Sequence, residues 1–339
     1  MNWMLPIELK KQVAPIGYQD KLLLVGSCFT EHIGRALSDL KFSILQNPNG
    51  ILFGPDAVCK SLLACSENRE YAAKDLFFLN EVWNSWQHHS RFSHVNRDEA
   101  VLNINASIQE AHNFLQTAQW LIITLGSAFT YRLTGEADLA SEQTGEGVAN
   151  CHRAPSAWFK KELLPTDSIT RMLEHCIGEL RKSNPGLKFL FTISPVRHIR
   201  DGVVENNRSK ARLIEAVHDL TGRLAEVFYF PAYELVIDVL RDYRFYDIDL
   251  VHPNYAATEY VMEKFTDTCM DEATREIMKE VIPLVTARRH KAFQPETNAH
   301  QRFLAANLEK AKQLQDRFPF LDLSEEISYF SHSAGTRGQ

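Results

Sequence analysis

The sequence predicts an α/β fold in which helices cover a largely parallel β-sheet. Short apolar runs rich in Val, Ile, Leu and Phe alternate with longer stretches whose apolar residues repeat at helical spacing. Small residues such as Gly and Ser follow several of these runs directly, as they do where a strand turns into a helix. Because the strands of a parallel sheet are buried on both faces and read as continuous apolar runs, the alternation is typical of a sheet with helical layers.

The apolar runs predict the core strands, and the amphipathic stretches between them predict the helices. The predicted strands cover residues 22–25, 42–45, 120–125, 188–193 and 227–230. The predicted helices cover residues 31–40, 55–63, 98–117, 167–183 and 207–226, with a short helix near 234–242. Two segments do not fit the alternation: residues 75–96 indicate a pair of strands or an irregular insertion, and residues 128–156 indicate strand-like pieces and loop.

The periodic pattern changes beyond the last predicted strand, which suggests a two-part organisation. From residue 255 to about 311 the signal is almost entirely helical, with weaker apolar stripes. We therefore predict an α/β domain over residues 15–268 and a helical C-terminal extension over 269–330, too small and weakly apolar for an independent core. Residues 331–339 are predicted to be a disordered tail.

The composition is that of a soluble globular protein, with 339 residues, 45% hydrophobic and 24% charged. Lys and Arg number 37 against 43 Asp and Glu, so no excess of positive charge argues for a nucleic-acid partner. The N-terminus lacks the basic and apolar regions of a secretory signal. The longest apolar stretch, residues 120–129, is far shorter than the ~20 residues of a membrane helix. We expect a cytoplasmic protein without a membrane partner; its oligomeric state is left open.

The cysteines and histidines do not form a metal-ligand or disulfide pattern. The six cysteines are scattered without a C-x-x-C pair, as expected for small buried residues in a reducing compartment. No nucleotide-binding glycine motif occurs, so no nucleotide cofactor is expected. Four histidines and one of these cysteines raise the question of a metal but lack its ligand spacing, and we expect them to pack or hydrogen-bond at the edge of a pocket: His88, His89, His94, Cys151 and His152.

Three predicted strands end in small residues that suit a binding site. These ends are residues 26–28, 126–127 and 194–195. In an open parallel sheet, ligands bind outside the carboxyl ends of the strands. A serine at a strand-to-helix turn also lies at a helix N-terminus, which favours the negative charge that a nucleophilic attack creates. Gly-Ser is equally an ordinary turn and helix cap, so Ser27 by this feature alone is a weak candidate.

An aspartate and a histidine follow in the loop beyond the last predicted strand. A serine nucleophile needs a base, and the base needs a carboxylate that fixes its tautomer. Asp249 and His252 are three residues apart and could supply both functions to Ser27. The alternative is a surface loop whose histidine has no catalytic role.

Cys28 is the alternative nucleophile beside Ser27. A thiolate is a stronger nucleophile than a hydroxyl, and a helix N-terminus lowers the pKa of a thiol. The simpler interpretation is a small buried residue that faces the sheet. Because adjacent side chains point apart in such a turn, one of the two faces His252, and the local sequence does not decide which.

Residues 26–30, Gly-Ser-Cys-Phe-Thr, resemble the motif that gives the bacterial GSCFA family its name, with Thr30 in place of the final Ala. That family is related to the SGNH, or GDSL-like, hydrolases. Further blocks agree in order over roughly residues 15–265, namely 47–50, 124–126, 194–197, 207–210 and 249–254. The helical remainder is outside this resemblance.

The resemblance implies a three-layer α/β/α sandwich with a five-stranded parallel sheet, which is SGNH hydrolase-like and flavodoxin-like. It also implies roles for the site residues: Ser27 as nucleophile, His252 as base and Asp249 as the residue that orients it. The oxyanion hole of such enzymes uses the backbone N–H of the serine, the N–H of a second-block glycine, here Gly50, and an Asn side chain.

The third block departs from this pattern. GDSL-like hydrolases carry G-x-N-D there, whereas this chain has Gly-Ser-Ala-Phe at residues 126–129, so Ala128 stands at the Asn position. Loss of one such donor costs roughly 2.7–4 kcal/mol of transition-state stabilisation. Ser127, His89 and Asn150 are candidates to replace it, and the sequence does not rank them.

We expect a serine esterase or deacetylase that removes a small acyl group, such as acetyl, from a carbohydrate or similar metabolite. An acyltransferase with the same triad and a non-catalytic carbohydrate-binding module of the same fold remain alternatives. Residues 197–198 and 207–210 could bind an anionic substrate group. Equally, the Ser and Asn there cap a helix and the Lys and Arg stay solvated.

Overall fold

The computed structural model describes residues 7–137 and 143–334, with side chains up to residue 331. Its strands, in chain order, are β1 (Lys21–Gly26), β2 (Ser43–Gln46), β3 (Phe77–Leu79), β4 (Val82–Asn84), β5 (Trp120–Leu125), β6 (Phe129–Leu133), β7 (Gly147–Val148), β8 (Phe159–Leu163), β9 (Lys188–Ile193) and β10 (Val227–Tyr229).

The helices, in chain order, are α1 (Cys28–Asp39), α2 (Pro55–Ser66), α3 (Arg97–Leu115), α4 (Thr166–Ser183), α5 (Gly202–Arg223), the single turn α6 (Ala232–Glu234), α7 (Tyr255–Cys269), α8 (Glu272–Arg289), α9 (Asn298–Arg317) and α10 (Ser324–Ala334). Helices α1–α5 lie between strands in the chain, and α6–α10 follow the last strand. A π-helical turn, Leu235–Leu240, continues α6.

Five strands form the central sheet in the order β2-β1-β5-β9-β10, and all neighbouring pairs are parallel. The predicted fold class, a five-stranded parallel sheet flanked by helices, is therefore confirmed. The pairing register sets Gly26 opposite Thr124 and Leu125 opposite Ile193. Because of this register, the carboxyl ends of β1, β5 and β9 lie level along one edge of the sheet.

Alternate residues of each central strand enter different apolar cores. On β1, Leu22 and Leu24 pack with residues of α1 and α7, whereas Leu23 and Val25 pack with residues of α2, α4 and α5. All four side chains are at most 1% exposed. Since side chains of a strand alternate between its two faces, this burial on both sides explains the uninterrupted apolar run of β1.

The two segments that did not fit the alternation form small additions to the sheet. The first contains the antiparallel hairpin β3–β4, and the second contributes to an antiparallel sheet in the order β7-β6-β8. Part of the second segment, residues 138–142, lies outside the described residues. The predicted strand pairing and strand-like pieces are found in both segments.

Helix boundaries differ from the predicted ones by up to five residues, and the largest difference is at the start of α5. Helix α5 begins at Gly202, earlier than the predicted start at 207, and Gly202 has a φ of 79°. Residues 207–210 consequently lie inside α5, so the prediction that they cap a helix start was wrong.

The C-terminal helices share a core with the α/β domain. Leu304, Leu314 and Phe330 belong to the same buried apolar cluster as Ile33 of α1 and Phe265 of α7. The extension therefore buries its weak apolar stripes against the sheet-covering helices and does not need a separate core. Helix α10 also includes residues 331–334 of the predicted disordered tail, while 335–339 lie outside the described residues.

Among the described residues, no helix combines the length and the apolar content that crossing a bilayer requires.

Candidate functional site

Ser27 occupies the turn between β1 and α1, at the carboxyl edge of the sheet. Its backbone N–H donates to Thr124 O at 3.1 Å, and the N–H of Gly26 donates to Asn47 Oδ1 at 2.9 Å. Gly26 has a φ of 150°, and a Cβ there would lie 2.3 Å from Thr124 O, so the turn requires glycine. These contacts fix the Ser27 backbone against the next strand and against the loop that follows β2.

The Ser27 side chain caps α1. Its Oγ accepts a hydrogen bond from the Phe29 N–H at 3.3 Å, and the residue is 3% exposed. Within the described residues, the hydroxyl proton has no protein acceptor. An Oγ that accepts from a helix N-terminus and keeps its proton available has the arrangement of an activatable nucleophile, and it is also an ordinary N-cap.

Cys28 is the less suitable nucleophile of the pair. Its side chain packs against the apolar cluster between the sheet and α1. Burial raises the pKa of the Cys28 thiol, although the backbone N–H groups of Cys28 and Phe29 and the charge of Lys210 lower it in part. A raised pKa leaves less thiolate at neutral pH, so the thiol is not activated here.

Asp249 and His252 form a hydrogen-bonded pair in the loop that precedes α7. Asp249 Oδ2 lies 2.6 Å from His252 Nδ1, and Asp249 Oδ1 accepts from the N–H groups of Val251 at 2.9 Å and His252 at 3.0 Å. Asp249 Oδ1 therefore stabilises the backbone of the loop, and Oδ2 orients the imidazole ring of His252. With Nδ1 protonated toward Asp249, Nε2 carries the free lone pair that a general base needs.

The charge of Asp249 is strongly favoured by this arrangement. The hydrogen bond from His252, followed by the backbone N–H bonds, lowers the pKa of Asp249 to about 2. Asp249 is therefore ionised across the whole range in which an imidazole acts as a base.

Backbone contacts bring this loop to the same edge of the sheet as Ser27. The Arg197 N–H, after β9, donates to Val251 O at 3.2 Å, and the Ser194 N–H donates to Leu125 O at 2.8 Å. The edge thus runs from Ser27 across the ends of β5 and β9 to the loop of His252. In the described part of the chain no hydrogen bond joins Ser27 Oγ to His252.

A buried lysine forms hydrogen bonds to the backbone at the ends of both β5 and β9. Lys210 of α5 is 1% exposed, and its Nζ donates to Gly126 O and Ser194 O, each at 2.6 Å. Burial lowers the pKa of Lys210 to about 7, and the neighbouring Cys28 raises it in part. A neutral amine keeps two N–H groups, enough for both carbonyls, so the site tolerates the loss of the charge.

Replacement of Lys210 by Met should lower the free energy of unfolding by about 2–4 kcal/mol, because two buried carbonyls lose their donor. Urea unfolding at pH 8 measures the difference. Arg208→Met is the matched control on the same helix, because Arg208 is 56% exposed and pairs with Glu205 of the same helix. Its effect should stay below ~1 kcal/mol; equal effects for the two variants would contradict the assignment.

The same variant provides a pH test of the Lys210 environment. The unfolded chain binds a proton at Lys210 up to its ordinary pKa of 10.5, whereas the folded protein releases it near 7. Between these values the unfolded state binds more protons, so the contribution of Lys210 to stability should rise with pH. The stability difference between wild type and Lys210→Met should accordingly widen from pH 7 to pH 10.

Comparison with protein-family models identifies the chain. The model described as the GSCFA family matches residues 21–265, and the model described as the GSCFA domain protein, C-terminal domain, matches residues 283–333. The chain belongs to the GSCFA family. A search of curated proteins finds no significant match. The first match spans the sheet and the entire edge described above, and the second spans most of α8–α10 in this GSCFA chain.

Gly50 and His89 lie together beside the Ser27 turn. Gly50 has a φ of 87°, and a Cβ on it would lie 2.1 Å from the Cβ of His89. The Gly50 N–H donates to Asn47 O at 2.8 Å, so the donor that the resemblance implies for the oxyanion is engaged in a turn. Burial lowers the pKa of His89, and His89 Nδ1 accepts from the Arg91 N–H at 3.3 Å.

Ser127 and Asn150 have structural partners in this GSCFA protein. Ser127 Oγ accepts from the Phe129 N–H at 3.1 Å and lies 3.3 Å from Ser209 Oγ. Asn150 Oδ1 accepts from the His152 N–H at 2.8 Å, in the second inserted segment, whose Val148 shares an apolar cluster with Trp86 of the first. No hydrogen bond among the described residues links either side chain to the Ser27 turn.

The predicted packing role of the insertion histidines is found for two of them. His88 Nδ1 is 2.8 Å from Ser85 Oγ, and His152 Nε2 is 2.8 Å from Ser85 O. Burial lowers the pKa of both imidazoles, to about 3 for His88. Both imidazoles pack among aromatic rings: His152 lies against Phe77 and Trp86, and His88 lies against Tyr71 and Phe92.

The sequence did not predict the buried environment of Lys210, and it did not indicate that His198 lies at the end of β5. Lys210 was expected to stay solvated, and this was wrong because its ammonium is enclosed by carbonyls from two distant strand ends. Its position in one of the family blocks, residues 207–210, was the available signal. His198 packs over Gly126 and Phe53, and its backbone N–H donates to Asn206 Oδ1 at 3.0 Å.

Proposed function

We propose that this GSCFA protein is a serine hydrolase of the SGNH type that removes a small acyl group from a carbohydrate or similar metabolite. The observation that carries the proposal is the Asp249–His252 pair at 2.6 Å, on the same edge of the sheet as the helix-capping Ser27. The Nε2 atom of His252 keeps a lone pair and can act as a base, and the Ser27 hydroxyl keeps a proton that can be transferred to it. These are the roles that ester hydrolysis through an acyl-enzyme requires.

The reaction proceeds in two balanced steps. The Ser27 hydroxyl proton passes to His252 Nε2 while Oγ bonds to the acyl carbon, and the carbonyl π electrons move to its oxygen. When the carbonyl re-forms, the bond to the leaving alkoxide breaks, and His252 returns the proton to that alkoxide. Water then attacks the acyl-Ser27, gives one proton to His252, and releases the carboxylic acid as Ser27 regains its proton.

Two features support the substrate class. Ser27 is 3% exposed, and this restricted access favours a small acyl group over a bulky one. Tyr243 and Tyr255 lie on either side of the Asp249–His252 loop in the sequence and are 63% and 77% exposed. Their aromatic faces are suited to stacking against sugar rings. The cysteines are free thiols, in keeping with the reducing cytoplasm in which we place the reaction.

A fluorophosphonate probe tests the nucleophile. The intact protein should be labelled at Ser27, and Ser27→Ala should lose both labelling and turnover of 4-nitrophenyl acetate. Cys28→Ala is the matched neighbour and should keep both. Labelling at Cys28, or ester turnover that persists in Ser27→Ala, would overturn the proposal.

A non-catalytic carbohydrate-binding module is the second candidate, favoured by the engaged N–H groups of Ser27 and Gly50. Such a module would bind an oligosaccharide without acyl turnover, and binding would be unchanged in His252→Ala. Transfer of the acyl group to an added sugar in place of water would instead indicate an acyltransferase with the same residues.

A further inference from the structure

The expected donors for a developing oxyanion are largely occupied. The N–H groups of Ser27 and Gly50 donate to backbone carbonyls, and Ala128 offers no side-chain donor. Attack on an ester places negative charge on the carbonyl oxygen, which needs hydrogen-bond donors at 2.7–3.1 Å. The proposed hydrolase therefore requires a donor from another element at the same edge.

His198 is the polar side chain that lies over the third block. Its Nε2 is 3.3 Å from the position that a Cβ on Gly126 would take, and its ring centroid is 5.0 Å from that of Phe53. Gly126 immediately follows β5, whose Thr124 accepts the Ser27 N–H. The imidazole is thus above the strand end that lies directly beside the Ser27 turn.

The backbone on both sides of the ring is anchored. The His198 N–H donates to Asn206 Oδ1 at 3.0 Å, and the Arg197 N–H donates to Val251 O at 3.2 Å. The Arg197 guanidinium is also held over the Tyr246 ring at 4.2 Å. His198 therefore sits on a fixed segment between the Gly126 turn and the loop of His252, where preorganised donors are most effective.

The imidazole of His198 is neutral at physiological pH. Burial lowers its pKa to about 4, the charges of Lys210, His252 and Lys161 lower it further, and Asp201 raises it in part. A neutral imidazole carries one N–H donor. In the described residues neither ring nitrogen has a hydrogen-bond partner, so this donor is free for a ligand.

We propose that His198 donates a hydrogen bond to the carbonyl oxygen of the acyl group attacked by Ser27, in place of the side chain missing at Ala128. The inference rests on the proposed hydrolase function. His198 acts as a donor and not as the base, because in the described residues no carboxylate is hydrogen-bonded to its ring; the nearby Asp201 pairs with Lys161. His252 has such a carboxylate in Asp249, so the two histidines have separate tasks.

Two substitutions separate hydrogen bonding from packing. His198→Phe keeps a ring against Phe53 but has no N–H, and His198→Asn keeps a donor but has no ring. With 4-nitrophenyl acetate, His198→Phe should lose about 10²–10³-fold in kcat with little change in KM. His198→Asn should retain most of the wild-type kcat, and thermal unfolding of both variants reports their folding.

The outcomes distinguish this inference from the proposed function. Loss in the Phe variant with rescue by Asn supports it, provided that fluorophosphonate labelling of Ser27 slows in parallel. Near wild-type kcat in His198→Phe, or equal losses in both folded variants, would overturn it while ester turnover by wild type and its loss in Ser27→Ala leave the hydrolase proposal standing. Absence of both turnover and labelling in wild type would overturn the two together.

Discussion

Asp249→Asn should lower kcat of the proposed ester hydrolysis by about four orders of magnitude, the size of loss expected when the orienting carboxylate of a Ser–His–Asp triad becomes an amide. Asn can keep the Oδ1 contacts to the N–H groups of Val251 and His252, so the loop should retain its shape. Its amide nitrogen would instead face His252 Nδ1. That forces the proton to Nε2 and removes the lone pair that accepts the Ser27 proton.

Single-turnover kinetics with 4-nitrophenyl acetate measure the loss. Asp247→Asn is the matched control, because Asp247 is exposed in the same loop and its carboxylate makes no hydrogen bond to the described residues. It removes the same charge and should change kcat less than about threefold, since exposed charges interact weakly. Equal losses in the two variants would indicate a general charge effect and contradict the orienting role.

The pH dependence of the wild type gives an independent check on Asp249. Because the pKa of Asp249 is held at about 2, the carboxylate stays ionised well below neutral pH. Protonation of Asp249 should therefore not contribute to any loss of activity between pH 4 and pH 7. The carboxyl carbon of Asp249, followed by NMR, should keep the chemical shift of the ionised form down to pH 4, and protonation above pH 4 would contradict the assignment.

The central sheet could be predicted because each of its buried strands is encoded by consecutive, mostly apolar residues. Strands β5 and β9 are buried on both faces and read as uninterrupted apolar runs, so their predicted and observed bounds agree. The small strands β6–β8 have partly exposed faces and mixed composition, and the sequence indicated only strand-like pieces there. The start of α5 was misplaced because its first turns are exposed and lack an apolar stripe.

The candidate site was predictable where one short segment carries the chemistry. Asp249 and His252 bond within a single loop, and Ser27 caps the helix that directly follows it. Lys210 and His198 were not predictable in this way, because their environments come from long-range contacts. The Lys210 acceptor Gly126 is 84 residues away in sequence, and no periodic pattern reports such an enclosure.

Substitution of Glu326, a buried carboxylate that links the C-terminal helices to the α/β domain, should also have a large effect, here on the free energy of unfolding. Glu326 of α10 is 0% exposed and lies 2.8 Å from Lys41 Nζ and 2.9 Å from Arg288 Nε. Lys41 lies between α1 and β2, and Arg288 belongs to α8, so one buried carboxylate joins three parts of the chain. Its side chain is also within the range matched by the C-terminal family model.

Glu326→Ala should lower the free energy of unfolding by about 3 kcal/mol, the lower end for breaking a buried ion pair, because Lys41 and Arg288 then keep only an exposed carboxylate as partner. The adjacent Glu325 is the matched control. It contacts the same two cations, at 3.4 Å from Lys41 and 3.1 Å from Arg288, but its side chain is 62% exposed. Since solvent screens exposed ion pairs, Glu325→Ala should cost less than about 1 kcal/mol.

Urea unfolding followed by far-UV circular dichroism measures both variants. The C-terminal helices share an apolar cluster with α1 and α7, so wild type and Glu325→Ala should unfold in one transition. Glu326→Ala should keep a single transition at a lower urea midpoint, because weakening the attachment weakens the shared core. Equal destabilisation by the two substitutions would show that burial does not set the strength of this contact. A separate early transition in wild type would show that the C-terminal helices and the α/β domain unfold independently.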